Sequence, residues 1–318
     1  MSQNKKLGYG CAIGAQVVWG LFPIYVHQLK EYDTYGIVAH RAIWSFLFLI
    51  GLVFVSKFIR SPNLPSMSEL TGALGNKKFL LGVVIAATLI AINWIGFVWA
   101  ASNDHKLDAS LGYYICPQVV VLLGVICLGE RLSLIQWIAV ALAGAGVGYM
   151  AIAKESGSST SLPALSILIA FSFGFYGLAK KKTKLSALGG LTLETGFLII
   201  PAAIFFAWQY GIFGIHSADS PGTKMFTDSW SVNLLLLGSG AVTILPLALY
   251  ATAVKHLPLS TMGLLQFIGP TIQFFLGLFV YGEKFDQTRF VGFLVVWVGV
   301  GIYLLSLRQP KTESPKSI

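Results

Sequence analysis

The segment Pro117 to Arg131 returns 153 positions later as Pro270 to Lys284. In each, eleven mostly apolar residues lead from the proline to Gly-Glu-basic, as Gly129-Glu130-Arg131 and as Gly282-Glu283-Lys284. Leu123-Gly124 recurs as Leu276-Gly277 and Gly146-Val147-Gly148 as Gly299-Val300-Gly301 at the same offset, with Trp137 falling on Phe290. One such coincidence would carry nothing. Several, in one order and at one offset, mean that the chain was built twice.

The duplication becomes a topological constraint once the medium is known. The chain is 55% hydrophobic and 11% charged, against about 25% charged in an average soluble domain. Its charges cluster and leave apolar runs of roughly 18 to 22 residues, each long enough to cross a hydrocarbon core of about 30 Å as a helix. Ten spans are predicted, roughly at 8–26, 36–56, 79–101, 109–128, 133–152, 163–179, 189–210, 231–254, 260–281 and 287–307. The expected fold class is an all-α polytopic membrane protein of ten transmembrane helices. The first repeat is placed at 1–153 and the second at 154–318, in one membrane-embedded unit with a Ser- and Gly-rich linker from Lys154 to Leu162. Five is odd, so the second copy enters the membrane from the side opposite to the first, and the two repeats are inverted. Inverted repeats with a site at their interface are a common plan of secondary transporters, although pores and intramembrane enzymes contain repeats too.

With the N-terminus placed in the cytoplasm, the inward-facing segments hold fifteen Lys and Arg and the outward-facing ones six. Positive charge gathers on the cytoplasmic side, so both termini are expected there, in a multi-pass inner membrane protein of bacterial type. The same rule accounts for the net charge of +9 without a nucleic-acid partner. Lys5-Lys6 precede an apolar run without a small-residue cleavage site, which reads as an uncleaved first helix. Cys11, Cys116 and Cys127 all fall inside spans as small core residues. The sequence contains no HExxH, Walker A, GxSxG or Cys/His metal spacing. No enzyme activity, metal or cofactor is expected, and any active transport would draw on a gradient.

Ionisable residues within the spans are His40, Arg41 and Glu194, apart from those at span ends. A charge at a helix centre costs about 2.5–3.5 kcal/mol on insertion scales, so such groups face a cavity or a partner. An offset of 154 aligns Trp19-Gly20 with Phe173-Gly174 and His40 with Glu194. Glu194 is expected to titrate or to bind a cationic group, and His40 and Arg41 to bind anions or gate. Against this, Arg41 could snorkel to the outer headgroups, and His40 could be neutral and bonded to a carbonyl. Asn93, Trp94, Tyr113, Gln118, Tyr176, Gln266 and Gln273, with Glu194, are expected to line a central cavity. Helix-to-helix hydrogen bonding is the competing reading for Asn93 and Gln266. Pro117 and Pro270 each remove a backbone hydrogen bond in mid-helix and are candidate hinges. The glycines from Gly144 to Gly148, with Gly299 and Gly301, read as a close-packing face. The Gly-Glu-basic ends read as tight hairpin turns with local ion pairing.

Together these residues resemble the EamA domains of the drug/metabolite transporter superfamily, and within it the RarD permeases. The resemblance rests on Trp19-Gly20, His40-Arg41 with Trp44-Ser45, Asn93-Trp94, Ala109 to Tyr113 through Pro117, and Gly129-Glu130-Arg131. It continues through Phe171-Ser172-Phe173 with Tyr176-Gly177, Glu194, Gln266 with Ile268-Gly269-Pro270-Thr271, and Tyr281-Gly282-Glu283-Lys284, and so covers about residues 7 to 307. It implies an inner-membrane permease of the chloramphenicol-sensitivity type for a small organic metabolite or drug. The expected partners are that solute and the lipid bilayer. A proton or other coupling ion and a homodimer stay open, as do a passive channel and a non-transporting membrane partner or sensor.

Overall fold

The computed structural model describes residues 3–29, 32–59, 64–102, 106–152, 163–209, 226–227, 229–282 and 286–307. The linker expected from Lys154 to Leu162, most of the loop before Trp230, and Glu283-Lys284 lie outside the described residues. The elements are α1 (Gln3–His27), α2 (Thr34–Ile59), α3 (Met67–Gly75), α4 (Lys77–Ser102), α5 (Lys106–Leu128), α6 (Leu134–Ile152), α7 (Pro163–Lys182), α8 (Ala187–Gln209), α9 (Trp230–His256), α10 (Leu259–Leu265), α11 (Ile268–Phe279) and α12 (Gln287–Ser306). Counting α10 and α11 as one crossing, ten segments are long and apolar enough to span a membrane. Lipid offers the backbone no hydrogen bonds, so each crossing satisfies its own amides as a helix.

Two departures from the expected spans are local. The short α3 lies between the second and third expected spans and is too short to cross a bilayer; Ser66 accepts from the Glu69 backbone N–H at its start. The ninth span is interrupted at Gln266-Phe267, between α10 and α11. Pro270 has no N–H for the carbonyl four residues back, that of Gln266, and its ring crowds the same carbonyl. Helix α5 runs through Pro117 without interruption.

Several of the main packing pairs recur when each helix is exchanged for its copy. The pairs α1 and α7, α2 and α8, α4 and α9, α5 and α10–α11, and α6 and α12 are counterparts. Helix α5 packs on α7 as α11 packs on α1, and α1 packs on α9 as α7 packs on α4. Three helices pack directly on their own counterparts: α2 on α8, α5 on α10 and α6 on α12. They run antiparallel: His40 meets Phe206 while Phe46 meets Gly196, and Cys116 meets Gln266 while Gly124 meets Ser260. Antiparallel contact between copies is what an inverted repeat requires.

Glycines set the spacing of these contacts. A Cβ on Gly20 would lie 2.7 Å from Ile272 Cβ, and one on Gly174 would lie 2.8 Å from Val119 Cγ1. These are the same contact made twice, once in each half. In the α6–α12 seam a Cβ on Gly146 would lie 2.7 Å from the Gly292 carbonyl oxygen, and one on Gly299 would lie 2.6 Å from the Ala139 carbonyl oxygen. Gly292 and Gly299 are the counterparts of Ala139 and Gly146. The close-packing face is therefore Gly146, Gly292 and Gly299; Gly148 and Gly301 meet nothing, and Gly144 makes only an ordinary contact with Gln118. Without a hydrophobic drive between helices in lipid, such backbone approach supplies much of the association energy. Gly146→Ala and Gly299→Ala should each destabilise the protein by about 1–3 kcal/mol through overpacking, whereas Gly148→Ala and Gly301→Ala should be neutral or mildly stabilising. Thermal denaturation in detergent distinguishes the pairs, and equal effects at all four positions would contradict the seam.

Candidate functional site

Gly129 and Gly282 occupy equivalent positions with φ of +67° and +64°, a left-handed conformation that costs other residues about 1–2 kcal/mol. The turn at Gly129 delivers Glu130, but not to a local ion pair. The Glu130 backbone N–H reaches back to the Gly124 carbonyl at 3.1 Å. Its carboxylate crosses to the other repeat, where Oε1 accepts from the Leu259 N–H at 2.6 Å and Oε2 from the Ser260 N–H at 2.9 Å. A carboxylate on the free amides of a helix start gains both hydrogen bonds and the helix dipole. Other helix ends are tied at this end of the bundle. Glu69 accepts from the Ser186 N–H at 2.6 Å and its hydroxyl at 2.9 Å, Lys181 donates to the Leu257 carbonyl at 2.6 Å, and Lys255 donates to the Leu185 carbonyl.

Just inside this layer lies Glu194, eight residues into α8. The cationic group it binds is Lys180 of its own chain, with Nζ 2.7 Å from Oε1 and the two side chains 1% and 4% exposed. Tyr176 donates to the other oxygen at 3.2 Å. Lys180 was counted above among loop charges, because it opens the run Lys180-Lys181-Lys182 and nothing in that run distinguishes it. Its place one turn beyond Tyr176, on the face turned to the α7–α8 hairpin, is the signal that separates it. Tyr176 stacks on Tyr250, which with Phe173 and Trp19 forms an aromatic cluster at the centre of the bundle. Trp19 and Phe173 are counterparts that meet edge to face, with ring centroids 5.6 Å apart. Gln266, at the helix interruption, donates to Tyr250 Oη at 3.3 Å and accepts from Cys116 Sγ at 3.5 Å. Tyr176, Glu194 and Gln266 therefore fill a buried floor.

Toward the opposite end the remaining residues divide. His40 is fully buried. Trp44 Nε1 can only donate, so His40 Nδ1, 3.0 Å away, accepts and carries no proton; Nε2 faces Tyr32 Oη at 3.1 Å. The side-chain contacts seen at His40 are thus to Trp44 and Tyr32, as suits a neutral imidazole. Arg41 does not snorkel outward. It is the eighth residue of α2, and its Nε donates at 2.9 Å to Thr243 Oγ1, at the midpoint of α9. Its guanidinium lies 4.4 Å from the Trp94 ring centroid and 5.1 Å from that of Phe22. The phenols of Tyr25 and Tyr113 lie nearby. Among the described residues no carboxylate pairs with it, and no group bonds its two terminal nitrogens. Beside Trp94, Asn93 Nδ2 donates to the Ile169 carbonyl at 2.9 Å and to Ser172 Oγ at 3.3 Å, while Tyr113 donates weakly to Oδ1 at 3.5 Å.

The structure thus brings Arg41, Asn93, Trp94 and Tyr113 together. Gln118 lies apart, beside Gly144, with its Nε2 unpartnered. Gln273 is exposed, and its Nε2 donates to the Trp19 carbonyl at 3.1 Å across the α1–α11 seam. Pro117 and Pro270 sit on the helices that flank the aromatic floor. Phe22 and Thr243 complete the Arg41 setting, and nothing in the sequence marks either one. A groove of about 510 Å³ between α4 and α7, running from Lys78 and Lys182 to Leu89 and Phe175, shares no residue with this cluster.

A membrane protein of two inverted five-helix repeats is the class that fold and site define. Residues 6–152 match the model of the EamA-like transporter family. An uncharacterized transporter of Vibrio cholerae is 39% identical over 95% of this chain and 93% of its own length, and the RarD protein of Salmonella typhimurium is 38% identical over 96% of each. A solved crystal structure with 14% identity superposes with a TM-score of 0.69 over 97% of this chain and 99% of the other, which shows the fold alone. The chain belongs to the EamA-like transporter family and stands with its RarD proteins.

The buried ion pair has a measurable signature. Lys180→Met or Glu194→Leu alone leaves an uncompensated buried charge and should cost about 3–5 kcal/mol, while the double variant should recover most of the loss. Melting temperatures of the four proteins close the cycle, and additive losses would show that the two side chains are not coupled.

Proposed function

We propose that the protein is a secondary carrier of a small organic solute, working by alternating access with its site between repeats divided at 153/154. The supporting observation is a broken symmetry. Two inverted copies should meet alike at both ends of the bundle. Among the described residues, however, α5 packs on α10, and α11 packs mainly on α1 and not on α5. Closure therefore favours the end where Glu130 caps α10. The interruption at Gln266-Phe267 lets α10 lean onto α5 until Gly263 faces the Pro117 carbonyl, where a Cβ would be 2.5 Å away. By the distribution of Lys and Arg this closed end is cytoplasmic, and the Arg41 cluster lies on the external side of the aromatic floor. Transport requires α10 to leave α5, with Pro270 supplying the hinge and Glu130 releasing two amides.

Two measurements test this. Proteoliposomes should show saturable uptake with trans-stimulation by internal solute; non-saturable flux across a broad metabolite panel, or single-channel currents, would favour a passive pore. Separately, Cys116 is buried between α5 and α10. In a Cys11→Ser/Cys127→Ser background, Glu130→Ala should raise labelling of Cys116 by a maleimide by about 2–30-fold, the equivalent of a lost helix cap. Unchanged labelling would remove Glu130 from the closing contact.

A further inference from the structure

We infer that the solute held at Arg41 is an organic monocarboxylate with a flat apolar body, an inference that rests on the carrier reading of this same cluster. The guanidinium is fixed on one edge and on its faces. Nε is tied to Thr243 Oγ1 at 2.9 Å, and the Trp94 and Phe22 rings lie 4.4 and 5.1 Å from Cζ. What these contacts leave over is the outer pair of nitrogens, which no described group bonds. That pair is the half of an arginine that matches the two oxygens of a carboxylate in a parallel, bidentate arrangement. A positive charge some 10 Å into a span is costly without a counter-charge. Every other buried charge in the described bundle has its counter-group within the protein.

The setting also limits the ligand's charge and shape. Arg41 is a single cation, so a monoanion balances it, whereas a phosphate monoester near neutral pH brings almost two negative charges. A zwitterionic amino acid would need an anionic partner for its ammonium group. Glu194 is held by Lys180, and among the described residues the polar groups at Arg41 are the neutral Thr243 hydroxyl and the phenols of Tyr25 and Tyr113. Trp94 and Phe22 present rings to the guanidinium, and Tyr113 packs edge-on against Phe97 nearby, which suits a planar apolar body more than a polyhydroxylated one.

The test uses purified full-length protein and matched probes: benzoate with benzamide, phenylacetate with phenylacetamide, indole-3-acetate with indole-3-acetamide, and the zwitterion phenylalanine. At least one acid should raise the melting temperature, with its amide and phenylalanine binding about 10–100-fold more weakly, as expected for loss of a charge-assisted bidentate contact. Arg41→Gln should abolish the preference for acid over amide, and Arg41→Lys should keep only part of it. Thr243→Val retains the charge and frees the guanidinium, and should weaken acid binding severalfold, so the assignment does not hang on whether the Gln variant folds. Amides or phenylalanine binding as well as the acids, an undiminished acid preference in Arg41→Gln, or no binding by any acid in the panel would each overturn it. Counterflow of the bound acid tests the carrier reading separately. An acid that binds through Arg41 without exchanging leaves the anion site standing and removes transport.

Discussion

Everything in this molecule is positioned by helices that meet their own copies. A duplicated unit with an odd number of crossings places α2 against α8, α5 against α10 and α6 against α12 in antiparallel pairs. Each such contact is made of two like surfaces. The approach at the α6–α12 seam is closer than any side chain would allow, because Gly146 faces Gly292 and Ala139 faces Gly299. In lipid, where burial of apolar surface gives helices little reason to associate, this backbone-to-backbone proximity is a main source of cohesion. The seam spans both halves and involves neither the aromatic floor nor Arg41. It can stay still while the central helices move.

The central pair behaves differently, because a two-fold arrangement cannot be kept at both ends when one end is shut. Pro117 and Pro270 are equivalent in sequence, yet only the Pro270 crossing is broken, where the Gln266 carbonyl has lost its amide. The break turns one long helix into two shorter ones, α10 and α11, and the start of the crossing at Leu259 is capped separately. Glu130 provides the cap from the opposite repeat. Closing one end thus depends on a side chain of one copy completing a helix of the other. Releasing Glu130 would leave two amides to be satisfied by water, which an aqueous surface can supply and a bilayer interior cannot.

The ten crossings and their inversion were legible because they depend on run length and on the parity of five, and both are properties of the chain alone. The charged residues were legible only as types. His40, Arg41 and Glu194 stood out as ionisable groups in apolar runs, but their partners came from elsewhere. Lys180 was hidden in a basic run, and Phe22 and Thr243 are ordinary residues for a span. Glu130 was marked by the repeat, while its cap on α10 is 129 positions away and leaves no local pattern. Helix α3 falls below the length at which hydropathy is informative, although Ser66 and Glu69 mark its start. Gln118 and Gln273 looked like cavity residues for the same reason as Gln266, since a glutamine's spacing does not tell which neighbouring helix it faces.

The charged residues of the described bundle follow one physical rule, that they are satisfied in the nearest way their depth allows, while a few neutral groups such as Gln118 Nε2 stay unpartnered. At the closed end, where helices stop, Glu69, Glu130, Lys181 and Lys255 use backbone amides and carbonyls. One layer further in, no helix ends are within reach, so Glu194 and Lys180 use each other. Deeper still, Gln266 uses neutral bonds to Tyr250 and Cys116. Arg41 is where the rule runs out of protein groups, since Thr243 takes one donor and two aromatic rings cover part of the charge. In the carrier proposed above, a bundle that pairs Lys180 with Glu194 and leaves one half of one guanidinium available would have its chemical selectivity concentrated at that position. The scarcity of polar groups around Arg41 then works in favour of discrimination, because a solute that fails to supply the missing anion finds little else there to bind it.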